Sequence, residues 1–528
     1  GKTSLHRLVP LERSADDLKR HASEIARRLG YDAQAVDSVH GFLEDREVLI
    51  HVRDHDPSPD RWEKLRTGRP PAITFWHRQS PRPLEPYDSW RVKTHDPPNE
   101  VSGMVLTILD TAGRLTHFEA VPPQFEAARP DATPAPDWAA LFAEAGLDPA
   151  TFRPAEPKWD SPQVYDARAA WEGSYPERPG LPLRVEAAAY RGRPVYFELV
   201  GPWRNPGRQL VHEESIGQSV GAALLLVLYF GTLALGALLA WRNLRLGRGD
   251  RRGALRLTLF TFAVRMVFWV FYVHHVPTLG EVVGLFLRGL QSAIFWAVFV
   301  GLLYLALEPF LRRRWPEWII SWSRLLAGQF RDPLVGRDVL VGAAFGVGIM
   351  LARQLEVLAP ELLGRPRDTP SPGSNLTYEL GLLGLNGFVP LLVNQTVASI
   401  LFAFIIAAVL FFFAMLLRRK WLGVAAGWLL LCSPFVIGVD DKSPLTLLAA
   451  VLGPTLAVAV LARFGLLALI SAFFFTHIWA FFPVTTELSA WYAGGFVLQL
   501  VMLCALALYG FRASLAGQPL FRGKFLED

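Results

Sequence analysis

A chain of 528 residues, 51% of them hydrophobic and with 17 Trp and 35 Phe, is too apolar for a string of soluble domains and reads as an integral membrane protein. Its net charge of +5 and pI of 9.2 do not point to nucleic acid, because the basic excess sits in loops between apolar segments. Before Ser215 there are 28 Lys plus Arg against 33 Asp plus Glu, and from Ser215 onward 25 against 15, so an acidic soluble part precedes a basic membrane part.

The first 14 residues read as a linker. Ser14 and Asp17 then supply capping chemistry for a helix over 15–29, whose Leu18, Ala22, Ile25, Ala26 and Leu29 recur at helical spacing before Gly30 stops it. Strand-like stretches rich in Val, Ile, Phe and Trp follow at 47–52, 72–78, 101–110 and 114–121, the last two joined by a Thr111-Ala112-Gly113 hairpin signal. A second cycle begins at Pro136-Asp137 with a helix over 138–145, then a hairpin of 183–190 and 194–200. ARRLGYDAQA matches FAEAGLDPAT, and VLTILDTAGRLTHFEAVPP matches VEAAAYRGRPVYFELVGP. The soluble part is therefore expected to be α+β, built of two tandem helix-plus-hairpin units, 15–130 and 131–214.

Candidate chemistry in this part is sparse. His51, Arg53, Asp54, His55, Asp56 and Asp60 cluster in HVRDHDPSPD, where two histidines and three carboxylates could form a metal or acid/base site. The Asp-Pro-Ser-Pro-Asp run is turn chemistry, and no second ligand cluster completes a metal set. Trp76 to Arg82 and Trp90 to Lys93 could stack on a ligand, but aromatic residues in strands favour the core. The only cysteines, Cys432 and Cys504, lie in apolar segments, so the soluble part has no disulfide. No cofactor or metal motif is found.

The membrane part, 215–528, opens with Gly217 to Ala240, 24 residues without a charge, followed by Arg242, Arg245, Arg248, Arg251, Arg252 and Arg256. That length crosses a hydrocarbon layer of about 30 Å, and the arginines mark the cytoplasmic side. Further spans are expected at 257–275, 284–310, 339–358, 397–417, 421–438, 445–462, 465–484 and 490–510, making about nine. Alternate connections carry the charge: Arg312, Arg313 and Arg314, then Arg418, Arg419 and Lys420, then Arg463. Residues 1–214 are thus expected outside the cytoplasm of a bacterial inner membrane, with the C-terminus inside. A start at Gly1 without a leader implies an upstream exporting segment. Glu379 to Val393 reads as re-entrant or interfacial, and Trp315 to Leu326 as an interfacial helix.

Polar groups inside spans are the functional candidates, since a central charge costs about 2.5 kcal/mol or more. They are Arg265, His477 and Glu308, with Arg288, Gln291, Arg353, Glu356 and Gln499 nearer helix ends. Glu308 could pair with Arg265 or with the arginines after it. A polar site near Arg265 and His477 would suit a transporter or an intramembrane hydrolase. Phe473 to His477 fits part of the CPBP-type protease pattern, but the paired glutamates that would activate water are absent.

Glu308 to Leu326 (EPFLRRRWPEWIISWSRLL), Arg331 to Asp338 (RDPLVGRD), Ser489 to Gly494 (SAWYAG) and Gly517 to Asp528 (GQPLFRGKFLED) resemble the C-terminal region of a group of bacterial transmembrane serine/threonine protein kinases. Glu24 to Gly30, His55 to Leu65 and Arg78 to Pro83 resemble the extracytoplasmic part of that group. The resemblance implies a kinase domain upstream in the full-length protein. This chain contains no kinase motif itself, and His51-Val52-Arg53-Asp54 lacks the asparagine a catalytic loop needs. The expected function is a sensory and anchoring region that relays an extracytoplasmic signal. Its expected partners are the bilayer, an unidentified ligand or protein outside, the kinase domain and a possible second copy in a homo-oligomer.

Overall fold

The computed structural model describes residues 5–32, 34–87, 90–125, 134–209, 230, 233–234, 236–365, 367, 369–370, 380–438 and 442–517. An N-terminal sheet domain is followed by a bundle of long apolar helices. The sheet has eight antiparallel strands: β1 (Asp37–Glu44), β2 (Ile73–Ser80), β3 (Val105–Asp110), β4 (Leu115–Ala120), β5 (Arg153–Ala155), β6 (Ala167–Tyr175), β7 (Arg178–Tyr190) and β8 (Arg193–Val200). Their spatial order is β1-β2-β3-β4-β8-β7-β6-β5. Two meanders meet where β4 pairs with β8, Phe118 opposite Phe197.

Four short helices accompany the sheet: α1 (Leu5–Leu8), α2 (Ala15–Arg28), α3 (Arg46–His55) and α4 (Trp138–Glu144). As expected, Ser14 caps α2 by accepting from Asp17 N–H, and Gly30 ends it at φ 93°. The stretch expected as a strand at 47–52 is instead α3. Asp45 accepts from the amides of Glu47 and Val48, and Val48, Leu49 and Val52 fall on one buried face. A cap and a one-sided apolar face outweigh β-branched propensity here. The linker-like start is packed: Leu5, Leu8 and Val9 are buried in the sheet-domain core.

Alternation along β2 divides the sheet's faces. Ile73, Phe75 and His77 lie towards α2, whereas Trp76 packs with Leu84, Val92 and Met104 on the other face. Trp76 is therefore core. The His51–Asp60 cluster is likewise structural: Asp56 accepts from Ser58 N–H and pairs with Lys64 at 2.6 Å. Burial would raise the Asp56 carboxyl, but Lys64 and Ser58 outweigh it and hold it at about 2.

The bundle comprises α5 (Arg251–Tyr272), α6 (Leu279–Arg314), α7 (Ile320–Leu326), α8 (Pro333–Leu362), α9 (Leu385–Leu416), α10 (Lys420–Gly438), α11 (Pro444–Phe464), α12 (Leu466–Phe481) and α13 (Ala493–Ser514). Seven of these, α5, α6, α8, α9, α10, α11 and α13, are long and apolar enough to cross a membrane. The 16 residues of α12 reach about 24 Å, short of a full crossing. The expected opening span falls largely outside the described residues; 236–245 are helical. Residues 385–393, expected as re-entrant, are the first turns of the continuous α9, with Pro390 accommodated inside it. Glycines bring helices close: a Cβ at Gly346 of α8 would lie 2.7 Å from Ala472 O of α12, and one at Gly336 2.6 Å from Gly510 O of α13.

Buried histidines are expected to make the sheet domain acid-sensitive. Burial lowers His77 to about 3 and both His6 and His40 to about 4, and neither ring nitrogen of His77 has a partner. An unfolded histidine takes its proton near pH 6.5, so between there and pH 3–4 the unfolded state binds more protons and stability falls with pH. Melting of the full chain from pH 7.5 to 4.5 is expected to show this loss, worth roughly 2 kcal/mol per histidine at pH 5. His77→Leu should flatten the profile, and an unchanged slope would refute the assignment to His77.

Candidate functional site

The feature that organises the molecule is the seam between the sheet domain and one end of the bundle. The sheet domain touches three connections: α5–α6, α8–α9 and α12–α13. At the first, His274 Nε2 lies 2.8 Å from Asp37 Oδ2, and His274 N–H donates to Trp90 O at 2.9 Å. Trp90 packs with Val273, Val276, Leu285 and Trp269. Burial opposes ionisation of Asp37, but the bonds from His274 and Leu84 N–H prevail and lower its carboxyl. At the second, buried Arg61 and Trp62 both donate to Arg367 O, Trp62 Nε1 at 3.1 Å, and Leu382 enters the sheet-domain core. At the third, Trp491 Nε1 donates to Leu11 O at 3.0 Å and its ring stacks on Phe42, while His6 bonds Val484 O at 3.1 Å.

The arginine-rich connections gather at the other end of the bundle. Asn243 Nδ2 donates to Leu305 O at 2.9 Å, Arg256 to Leu326 O at 2.7 Å, and Lys420 pairs with Glu317 at 3.1 Å. The expected interfacial helix at 315–326 is here a short 3-10 turn followed by α7. Its Trp315, Trp318 and Trp322 are buried in the bundle core rather than lying flat on a surface. They pack against α9 aromatics, with Trp315 edge-on to Phe411 and Trp322 to Phe404. Arg324 clasps Asp332 at 2.8 Å and fixes the turn into α8.

The intramembrane candidates separate. Glu308 pairs with Arg312 at 2.6 Å and accepts from Asp250 N–H at the basic end, so its partner is a following arginine and not Arg265. Arg265 donates to Asn394 Oδ1 at 3.3 Å and Ser292 Oγ at 3.4 Å, and its guanidinium lies over Phe268 at 4.5 Å. His477 Nδ1 is 3.0 Å from Ser399 Oγ, with Phe473 stacked on its ring. Asn394 and Ser399 are five residues apart on α9, about 140° around the helix. Arg265 and His477 therefore bond to different sides of α9. Gln499 donates to Ile478 O at 3.0 Å, and Arg288 contacts Tyr87 O. Among the described residues no group of His, Cys, Asp and Glu could hold a metal.

A second charged group, not anticipated from the sequence, crosses the β4–β8 seam on the sheet face away from α2. Glu119 accepts from Gln163 at 2.8 Å and Asn99 at 3.3 Å; burial alone would raise it, but His117 and these amides hold it at about 2. Glu198 accepts from Arg204 Nε at 3.0 Å and from Tyr196 Oη. The two-residue spacing of His117 and Glu119, and of Tyr196 and Glu198, is visible in the sequence; that β4 and β8 are neighbours is not. No protein-family model matches the chain, no curated protein matches it, and no solved structure matches it.

The seam is testable by coupling energies. A double-mutant cycle of Asp37→Asn and His274→Ala in the full chain is expected to give about 0.5–3 kcal/mol of interaction, read from thermal unfolding. Additive effects would show that the pair does not join sheet to bundle.

Proposed function

We propose that this chain is the sensory and membrane-anchoring part of a bacterial receptor-type serine/threonine protein kinase, in which the sheet domain receives a signal outside the cytoplasm and the bundle carries it to a cytoplasmic kinase domain. The observation that carries the reading is the seam. A soluble domain tethered only through residues 201–250 would need no buried tryptophan, arginine or ion pair at three separate bundle connections. One that must move the bundle does, because a ligand shifts a conformational equilibrium only through contacts that differ between its states. Of the stretches that resemble the kinase group, 55–65 and 489–494 fall at the seam and 308–326 and 331–338 at the basic end, while 24–30 and 78–83 lie elsewhere in the sheet domain.

The same arrangement supports an orientation. The three connections at the seam are those that sequence analysis expects outside, and the arginine-rich ones lie opposite, so the basic end faces the cytoplasm under the positive-inside rule. In this reading the segment expected at 217–240 and the shorter apolar helix α12 bring the seven long helices to nine crossings.

The sheet domain is best understood as two tandem units, 15–130 and 131–214. Arg28 of α2 bonds Glu144 of α4 at 2.6 and 2.8 Å, and these are matching positions of the two helix repeats. Phe118 and Phe197 are matching positions of the hairpin repeats and face each other across β4–β8.

Two experiments test the reading. In a variant lacking Cys432 and Cys504, a cysteine at exposed Tyr165 should react with an impermeant maleimide from the periplasmic side, and one at exposed Leu246 only after the inner membrane is permeabilised; the reverse pattern refutes the orientation. In membranes carrying the complete gene product, Trp491→Ala should change protein-kinase activity at unchanged abundance. Absence of kinase activity, or indifference to the seam variant, refutes the relay.

A further inference from the structure

The repeat relation sets two arginines side by side for comparison. In the β3–β4 hairpin, Gly113 is followed by Arg114; in the β7–β8 hairpin, Gly192 is followed by Arg193. Each packs on the glycine that ends the helix of the other unit. A Cβ on Gly146, after α4, would lie 3.2 Å from Arg114 Cδ, and one on Gly30, after α2, 3.7 Å from Arg193 Cδ.

Around these matching arginines the chemistry differs. Arg114 is neutralised twice, by Asp110 at 2.6 Å and Glu177 at 3.0 Å, and the guanidinium of Arg69 closes the space behind it by donating to Ala145 O and Gly146 O. Asp110 also accepts from the turn amides of Ala112 and Arg114. The matching position in the other hairpin is Tyr190, whose ring carries Arg191 above it and supplies no carboxylate. Among the described residues Arg193 makes no ion pair or side-chain hydrogen bond. In place of a second arginine there is a half-open cleft of about 150 Å³, lined by Gly30, Tyr31, Gln34, Gln79, Ser80 and Arg193 among others.

We propose that this cleft binds a small carboxylate-bearing molecule, whose carboxylate pairs with Arg193 as Asp110 and Glu177 pair with Arg114. A planar guanidinium in a partly enclosed site that Gln34, Gln79 and Ser80 also line is suited to a bidentate carboxylate. Its volume admits a molecule of amino-acid size. The carboxylate of Asp32, also on the lining, favours a ligand with a cationic group and disfavours a dianion. Binding would tie α2 of the first unit to the hairpin of the second, across the contact where a signal in this domain would have to act.

The assignment rests on the sensory reading only for its role; binding itself is separable. The full chain in lipid nanodiscs is titrated calorimetrically with glycine, glutamate, acetate and succinate, and with inorganic phosphate as the alternative oxyanion, up to about 10 mM, which detects millimolar affinity. At least one of the four carboxylates should bind, most tightly an amino acid, and Arg193→Gln should weaken it about tenfold or more. Tyr190→Asp, which sets a carboxylate where Asp110 stands in the other hairpin, should abolish binding without lowering the melting temperature. Lack of binding by all four carboxylates, binding by phosphate alone, or binding that survives both substitutions overturns the proposal. Carboxylate binding without any change in kinase output would refute the sensory reading and leave this site in place.

Discussion

Everything in this molecule hangs on burying bundle side chains in the core of a sheet that lies outside the membrane. Leu382, from the connection before α9, is 1% exposed and belongs to the same apolar cluster as Phe42, Trp62 and Phe75. Fully burying such a side chain contributes about 1.5–3 kcal/mol. Trp491 adds a ring stacked on Phe42 and a hydrogen bond to Leu11. Because these residues come from connections between helices, the sheet is attached to helix ends. A tilt or rotation of α5, α8, α9, α12 or α13 must therefore either move the sheet or break the seam.

The polar groups of the bundle follow the same division. Those near the basic end, Asp250, Glu308 and Arg312, form ion pairs and backbone bonds that hold the connections where arginines face water. Those deeper in, Arg265 and His477, each find one neutral partner on α9 and an aromatic ring. A guanidinium over Phe268 with an amide and a hydroxyl in reach has its charge spread over weak partners, a pattern that costs less than an isolated charge in hydrocarbon. Glycines at 336 and 346 of α8 let α13 and α12 approach to backbone contact, so packing is tight where those helices run from seam to basic end.

Much of this was legible in the sequence, for reasons that are local. The cap at Ser14, the apolar spacing of α2, the turn at Thr111-Ala112-Gly113 and the alternation of basic connections each depend on a few adjacent residues. The run at 47–52 misled because its β-branched residues suit a strand, while the deciding cap lies just before it. Trp318 and Trp322 read as interfacial because tryptophan favours that zone, but the bundle core received them. Strands β1, β5 and β6 went unseen: Gly41 breaks the first, β5 is only three residues, and alanines and charges blur the last. The seam was beyond reach, since Trp491 and Leu11 are 480 residues apart and nothing local marks them as neighbours. The pairing of Arg193 with an open cleft became visible only through comparison with Arg114.

Hydrogen–deuterium exchange of the full chain in lipid nanodiscs tests the central claim, that sheet and bundle ends form one cooperative unit. The account predicts that amides at 5–11, 273–278 and 484–492 are protected as strongly as those of β1 and β2, and that Trp491→Ala releases 5–11 and 484–492 together. Exchange of these connections at the rate of solvent-exposed loops, with the sheet still protected, would contradict it.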